Sequence, residues 1–290
     1  MNFKKFEHKN ILITGASSGI GEAMAYQFAH VTANLFLTGR NTERLSAIRN
    51  QCDTVRNSRL NASQNLNSPE KLNSSGKFET LNCSTQLFIV DFSDTSSIDN
   101  FVSKLAKVQL AFDYIILNAG ISQRALTLDT DMEVDRKIME TNYFGPVYLI
   151  KKMAEVLKFD RPLHIAVTSS ISGLFGFPLR SAYCASKHAL FGFFESLELE
   201  NENIKVTFLI PGRINTPISK SALLGDGAAY SKMDGGQANG MDVNKCARIA
   251  IRSIAKGKRR KLIGGKELLM VYLKKYVPLL FYWMARRVDS

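Results

Sequence analysis

Apolar residues in this chain come in short unbroken blocks, separated by longer stretches in which apolar and polar positions recur at helical spacing. The first block, Ile11-Leu12-Ile13 between Asn10 and Thr14, has the length and β-branched content of a strand buried on both faces. Asn34-Leu35-Phe36-Leu37-Thr38, Gln86-Leu87-Phe88-Ile89-Val90, Asp113-Tyr114-Ile115-Ile116-Leu117 and Leu163-His164-Ile165-Ala166-Val167-Thr168 repeat the pattern, and a further strand ends at Pro211-Gly212. Between the first two, Glu22 to Val31 carries Ala23, Ala25, Tyr26, Phe28 and Ala29 without Gly or Pro, which predicts a helix. Strands alternating with helices predict an α/β fold: a doubly wound parallel sheet with helices on both faces. No interdomain linker interrupts it, so residues 1–255 are expected to form one domain and 256–290 an extension.

The turns after these strands carry the chemistry. The first strand runs into Gly15-Ala16-Ser17-Ser18-Gly19-Ile20-Gly21, a Gly-x-x-x-Gly-x-Gly turn at a helix start. Glycines let backbone approach a pyrophosphate, and unpaired N–H groups at the helix N-terminus bind its charge. The second strand ends in Gly39-Arg40, where an acid would hold the ribose of NAD. A cation there pairs instead with a 2′-phosphate, so NADP(H) is the expected cofactor. Asp91, after the third strand, is placed to accept from an adenine amino group, and Asn118-Ala119-Gly120, after the fourth, lets backbone pass close to a ribose.

Tyr183 and Lys187, four residues apart in Ser181-Ala182-Tyr183-Cys184-Ala185-Ser186-Lys187, share one helix face. An ammonium beside a phenol favours the ionised form, and Ser170 stands thirteen residues upstream of Tyr183. Thr14 to Gly21, Asn118-Ala119-Gly120, Asn142, Ser170, Tyr183 with Lys187, and Pro211-Gly212-Arg213-Ile214-Asn215-Thr216 occur in the order of the short-chain dehydrogenase/reductase family. From Asn10 to about Arg252 the chain resembles its single-domain branch. One departure is Leu117, where the family usually has Asn; the expected effect is on the bracing of that strand end. The Gly212–Met241 tract and the Gly264–Lys274 run are most similar to the membrane-associated branch typified by dehydrogenase/reductase member 7.

The resemblance implies a Rossmann-type sheet of about seven strands and a division of labour. Tyr183 is the general acid or base and Lys187 lowers its pKa and bonds the nicotinamide ribose. Ser170 donates to the substrate oxygen, and Asn142 bends its helix and holds a water that relays protons to Lys187. The cofactor is gripped by Gly15, Ser17, Ser18, Gly19, Ile20 and Gly21, by Arg40, Asp91, Asn118, Ala119 and Gly120, and by Tyr183, Lys187, Pro211, Ile214 and Thr216. The implied reaction moves a hydride between NADP(H) and a secondary alcohol or ketone. Leu174, Phe175, Phe177 and Pro178, between Ser170 and Tyr183, predict a small apolar, lipid- or steroid-like substrate. The rival reading, a catalytically idle dinucleotide-binding scaffold, is opposed by the intact Asn142, Ser170, Tyr183 and Lys187 set.

Composition adds partners and boundaries. The 290 residues carry a net charge of +12, and eight of those charges lie from Lys256 onward. With no recognition helix, zinc spacing or aromatic RNA-binding pattern, nucleic acid is not expected as a partner. Leu268, Leu269, Tyr272, Tyr276, Leu279, Leu280 and Trp283 fall on one face of a helix with Lys274 opposite; Lys274, Lys275 and Pro278 argue against a span. That face in 266–290 suits an anionic membrane surface, the substrate entrance, or a second subunit of a homo-oligomer, dimer or tetramer. The histidines are scattered without ligand spacing, so no metal is expected. Cys52, Cys83, Cys184 and Cys246 lack Cys-x-x-Cys spacing and no secretory signal precedes the first strand, so a cytoplasmic, reducing location is expected, with the membrane face left open. Residues 56–85, rich in Asn and Ser, predict a flexible insertion, and 217–241, with five glycines among apolar residues, a substrate lid.

Overall fold

The computed structural model describes residues 3–31, 33–64, 83–108 and 110–287. The apolar blocks become strands β1 (Asn10–Ile13), β2 (Asn34–Gly39), β3 (Thr85–Ile89), β4 (Tyr114–Leu117), β5 (Leu163–Thr168) and β6 (Ile204–Pro211). A seventh, β7 (Arg260–Ile263), is masked in the sequence by its cations, as suits a sheet edge. All pairings are parallel, in the order 3-2-1-4-5-6-7. Ile11 pairs with Leu35 on one side and Tyr114 on the other, so the order reverses at β1. Ligands of open α/β sheets bind in the crevice that such a reversal opens at the strands' carboxyl ends.

In chain order the helices are α1 (Gly19–Ala29), α2 (Thr42–Gln64), α3 (Thr95–Lys107), α4 (Met132–Met139), α5 (Gly145–Leu157), α6 (Ser181–Glu200), α7 (Gly235–Ala238), α8 (Val243–Ala255), α9 (Leu269–Tyr276) and α10 (Pro278–Ala285). Helices α1, α2 and α8 bury Met24, Phe28, Leu45, Ile48 and Ile251 against one face of the sheet. On the other face α3, α5 and α6 bury Phe101, Leu149, Leu190 and Phe194. Between α4 and α5 the helix widens into a π-helical turn at Glu140–Phe144, which carries Asn142.

Two boundaries differ from the sequence reading. Residues 56–64, expected within the flexible insertion, continue α2. Arg56 fixes that helix by donating to the carbonyl of Ala33 at 3.0 Å and to Thr85 Oγ1 at 2.6 Å, a long-range anchor that composition does not reveal. The rest of the insertion, 65–82, lies outside the described residues. At the other end, the single amphipathic helix is two, α9 and α10, broken where Val277 adopts φ −136° and ψ 63° before Pro278. Their inner side carries Met270, Phe281 and Ala285 into the main core. Phe281 meets Phe175 edge to face with ring centroids 5.0 Å apart. Leu269, Tyr272, Tyr276, Leu279, Leu280, Tyr282 and Trp283 stay exposed, while Leu268 turns inward. Lys274 does not lie opposite them; its ammonium folds over the Tyr282 ring, 4.1 Å from the centroid. Among the described residues no helix is long and apolar enough to cross a membrane.

Candidate active site

The crevice above β1 and β4 is built first from backbone. Gly15 has φ +63°, and a Cβ there would stand 2.7 Å from the Cα of Ala119. Only glycine lets the β1 and β4 turns come this close. Gly21, just inside α1, packs against the Gly15 carbonyl and the Asn118 amide, where a Cβ would meet the carbonyl oxygen at 2.5 Å. Thr14 Oγ1 locks the two turns together by accepting from the backbone N–H of Asn118 at 2.9 Å and of Ala119 at 3.1 Å. Leu117 itself is buried in the core, so the bracing a second Asn would give falls to Thr14 and Asn118.

Helix α1 starts with Ser18 in extended conformation and no side-chain cap, which leaves first-turn N–H groups for a ligand. Gly15, Ser17, Ser18, Gly19 and Ile20 line the cleft at this point. Arg40 and Asp91 line its outer end, an exposed pair with Arg40 Nη1 3.9 Å from Asp91 Oδ2. Ser93 donates to the other Asp91 oxygen through its backbone N–H and its hydroxyl. Asn118, Ala119 and Gly120 form the floor, and Pro211, Ile214 and Thr216 the far wall. A glycine cradle and a bare helix N-terminus fit the pyrophosphate of a nicotinamide dinucleotide.

The inner end of the same cleft holds Ser170, Tyr183 and Lys187. Ser170 ends the loop after β5; its hydroxyl donates to the Pro211 carbonyl at 3.4 Å and accepts from the Ser172 N–H, and it opens on the same cleft as Tyr183. Lys187, one turn along α6 from Tyr183, donates to the Thr168 carbonyl at 2.9 Å and lies 5.8 Å from the Tyr183 ring centroid. Burial lowers its pKa to about 8. Burial raises that of Tyr183, and the groups that oppose the rise are the Ser170 hydroxyl and the charges of Arg180 and Arg124. The expected lowering by Lys187 is not among them; its ammonium donates to the Thr168 carbonyl instead.

Asn142 does not line the cleft but works behind it. Its Oδ1 accepts from the Ile121 N–H at 2.8 Å, and its amide donates to the Ile121 carbonyl at 2.9 Å and to Ser186 Oγ at 3.0 Å. It thereby sets the Gly120 turn, whose Cβ, if present, would sit 3.3 Å from Lys187 Nζ. Leu174, Phe175, Phe177 and Pro178, expected around a substrate, are not part of the cleft wall; Phe175 is core and Phe177 lies beneath Arg180.

The sequence reading missed a second cavity beyond Tyr183, lined by Arg124, Arg180, Arg213 and Asp234. Arg124 Nε and Nη2 donate to Asp234, and Arg180 Nη2 reaches the same carboxylate at 3.2 Å. Arg124 and Asp234 are 110 residues apart in the chain, and no local spacing signals their meeting. Residues 217–241, the expected lid, are tied down: Leu223 exchanges backbone hydrogen bonds with Ser122 and Arg124, and Met241 with Arg213 and Asn215. Among the described residues no His, Cys, Asp or Glu cluster could hold a metal.

Comparison with known proteins agrees with this geometry. The family model described as short chain dehydrogenase matches residues 9–74 and 62–225. Dehydrogenase/reductase SDR family member 7B of Xenopus laevis is 36% identical over 275 residues, 94% of this chain and 79% of that protein. The SDR family protein 7-like of Anopheles gambiae is 34% identical over 289 residues, covering 99% of this chain and 84% of its own. Among solved structures, a short-chain dehydrogenase/reductase from Burkholderia phymatum in complex with NAD superposes with a TM-score of 0.73 at 19% identity, covering 98% of both chains. An alcohol dehydrogenase from Thermococcus sibiricus complexed with 5-hydroxy-NADP gives 0.68 at 21%, covering 90% of this chain and 97% of that one. The sheet order, the cradle, the grouping of Ser170, Tyr183 and Lys187, and these likenesses together place the chain in the short-chain dehydrogenase/reductase family of nicotinamide-dependent oxidoreductases.

Proposed function

We propose that the protein interconverts a secondary alcohol and a ketone with NADP(H), on a substrate with an apolar body. The observation that carries this reading is the convergence of Ser170, Tyr183 and buried Lys187 at the inner end of a cleft whose other end is a phosphate cradle. The bound nicotinamide would give or take the hydride. In reduction the carbonyl oxygen gains charge as hydride reaches its carbon; Ser170 donates to that oxygen and Tyr183 transfers its proton, leaving alcohol and phenolate. The charges of Arg180 and Arg124 steady the phenolate, while Lys187, tied to the Thr168 carbonyl, faces the Gly120 turn that Asn142 holds. In oxidation the same phenolate takes the hydroxyl proton.

Preference for NADP(H) is supported by Arg40, an exposed cation at the end of β2 with a carboxylate only at 3.9 Å. An apolar substrate body is supported by Pro217 and Ile218 on the inner wall, and the 217–241 segment would set which body fits. The exposed apolar face of α9 and α10, with Lys274, Lys275, Arg286 and Arg287 among its aromatic residues, suits the interface of an anionic membrane from which such a substrate could come.

NADPH oxidation by a panel of ketones tests the reading. Wild type should turn over at least one of them, and Tyr183→Phe should cut kcat by about a thousandfold while the NADPH Kd changes by less than about threefold. Equal turnover by the two would overturn it.

A further inference from the structure

The cavity beyond Tyr183 has a charge that the hydride reaction does not call for. Arg124, Arg180 and Arg213 line it against one carboxylate, Asp234. Arg124 and Asp234 have side chains only 3% exposed, and their two-pronged pairing would satisfy both. A structural ion pair ends there. Here a second guanidinium, Arg180, leans on the same Asp234 oxygen, and its Nε is buried without a hydrogen-bond partner. Burial and the neighbouring Arg124 hold its pKa down at about 10. Surplus desolvated positive charge destabilises a fold unless something anionic neutralises it.

Arg213 adds a third guanidinium, with no carboxylate partner among the described residues. Gly236 makes room for it: a Cβ there would lie 2.6 Å from Arg213 Nη1. This cavity and the cofactor cleft share a wall of Ser170, Tyr183, Gly212, Ile218 and Gln237, so a molecule reduced at Tyr183 can extend one end among the arginines.

We propose that this cavity binds an anionic group on the substrate, a carboxylate or a phosphate monoester, held by Arg213 and Arg180 on the rigid Arg124–Asp234 base. The substrate is then a ketone or alcohol with an apolar body and one charged end. The inference rests on the oxidoreductase reading for its turnover test but not for its binding test.

The turnover test compares 4-oxopentanoate with its methyl ester, which differ chiefly in charge, using NADPH. The keto acid should have a kcat/KM at least about tenfold above the ester, and Arg213→Ala should bring the ratio close to one. Gly236→Ala, which leaves every arginine in place but crowds Arg213, should lower the ratio partway. An ester turned over as well as the acid, or a ratio indifferent to Arg213→Ala, overturns the proposal. The binding test titrates hexyl phosphate, hexanoate and hexanol calorimetrically into protein saturated with NADP+. Tighter binding of either anion than of hexanol, lost in Arg213→Ala, supports it, and the better anion identifies the head group. Equal binding of all three overturns it even if ketones are reduced. Failure of every ketone with anion binding intact would instead sink the oxidoreductase reading.

Discussion

The two ends of the joined cleft and cavity are built from different materials. The cofactor end is backbone: Gly15 and Gly21 packed against neighbouring turns, the open N-terminus of α1, and one hydroxyl, Thr14, pinning β1 to β4. The end beyond Tyr183 is side chain: Arg124, Arg180, Arg213 and Asp234, assembled from segments far apart in the chain. Backbone recognises what all dinucleotides share, because a pyrophosphate asks only for close approach and N–H groups. Side chains can be exchanged without disturbing strands, so the end beyond Tyr183 is free to vary where the cradle is not.

If the contrast holds, damage to one end should spare the other. Asp234→Asn should give the largest effect, because it leaves Arg124 and Arg180 buried without their carboxylate. The expected loss is about 3 to 5 kcal/mol of stability, a melting temperature at least about 6 °C lower, with NADPH binding retained at low temperature. Unchanged melting would mean the cluster is solvated and the contrast overdrawn. Gly15→Val should do the reverse, weakening NADPH by about a hundredfold, because the side chain would strain a positive φ and press on Ala119. Anion binding beyond Tyr183, read by titration with hexyl phosphate, should survive it.

Arg40→Ala tests the proposed pairing of this cation with a 2′-phosphate. A charge-assisted bond contributes about 1.5 to 3 kcal/mol, so NADPH should weaken by roughly tenfold or more while NADH barely changes. Equal weakening of both would place Arg40 away from the 2′-phosphate.

The smallest effect concerns pH. Lys187 titrates near 8, whereas burial keeps Tyr183 protonated well beyond that. Ketone reduction should therefore lose rate as pH rises through about 8, and Lys187→Arg should move that limb upward. The linkage has the opposite sign for stability. With the folded pKa below the unfolded value, the cost of burying the charge is full below pH 8 and relieved above it. A limb at the same pH in Lys187→Arg would assign it to another group.

What could be read from the chain follows the same division. Gly15, Gly19 and Gly21 mark a turn because glycine is needed where it stands, and the apolar blocks mark strands because each is buried on both faces. Sixteen of the expected site residues line one cleft, while Gly21 and Asn142 support it from behind. Arg124, Arg180 and Asp234 gave no sign, since in the sequence each alone reads as an ordinary charged residue and only the fold makes them neighbours. The end of α2 was misread for a like reason: its polar composition gives little periodicity, and Arg56 is held by Ala33 and Thr85 from across the fold. Strand β7 escaped notice because Arg260 and Lys261 hide its apolar half; the Arg260 guanidinium pairs with Glu195 of α6.

The contact between Phe281 and Phe175 bears on how the enzyme is made. Phe175 belongs to the loop that carries Ser170, yet the ring that covers it arrives more than a hundred residues later in translation. Until α10 has left the ribosome, the nascent chain carries an open aromatic socket beneath its catalytic loop. A chain stopped short of α10 should therefore be cut by protease near Phe175 faster than the full chain.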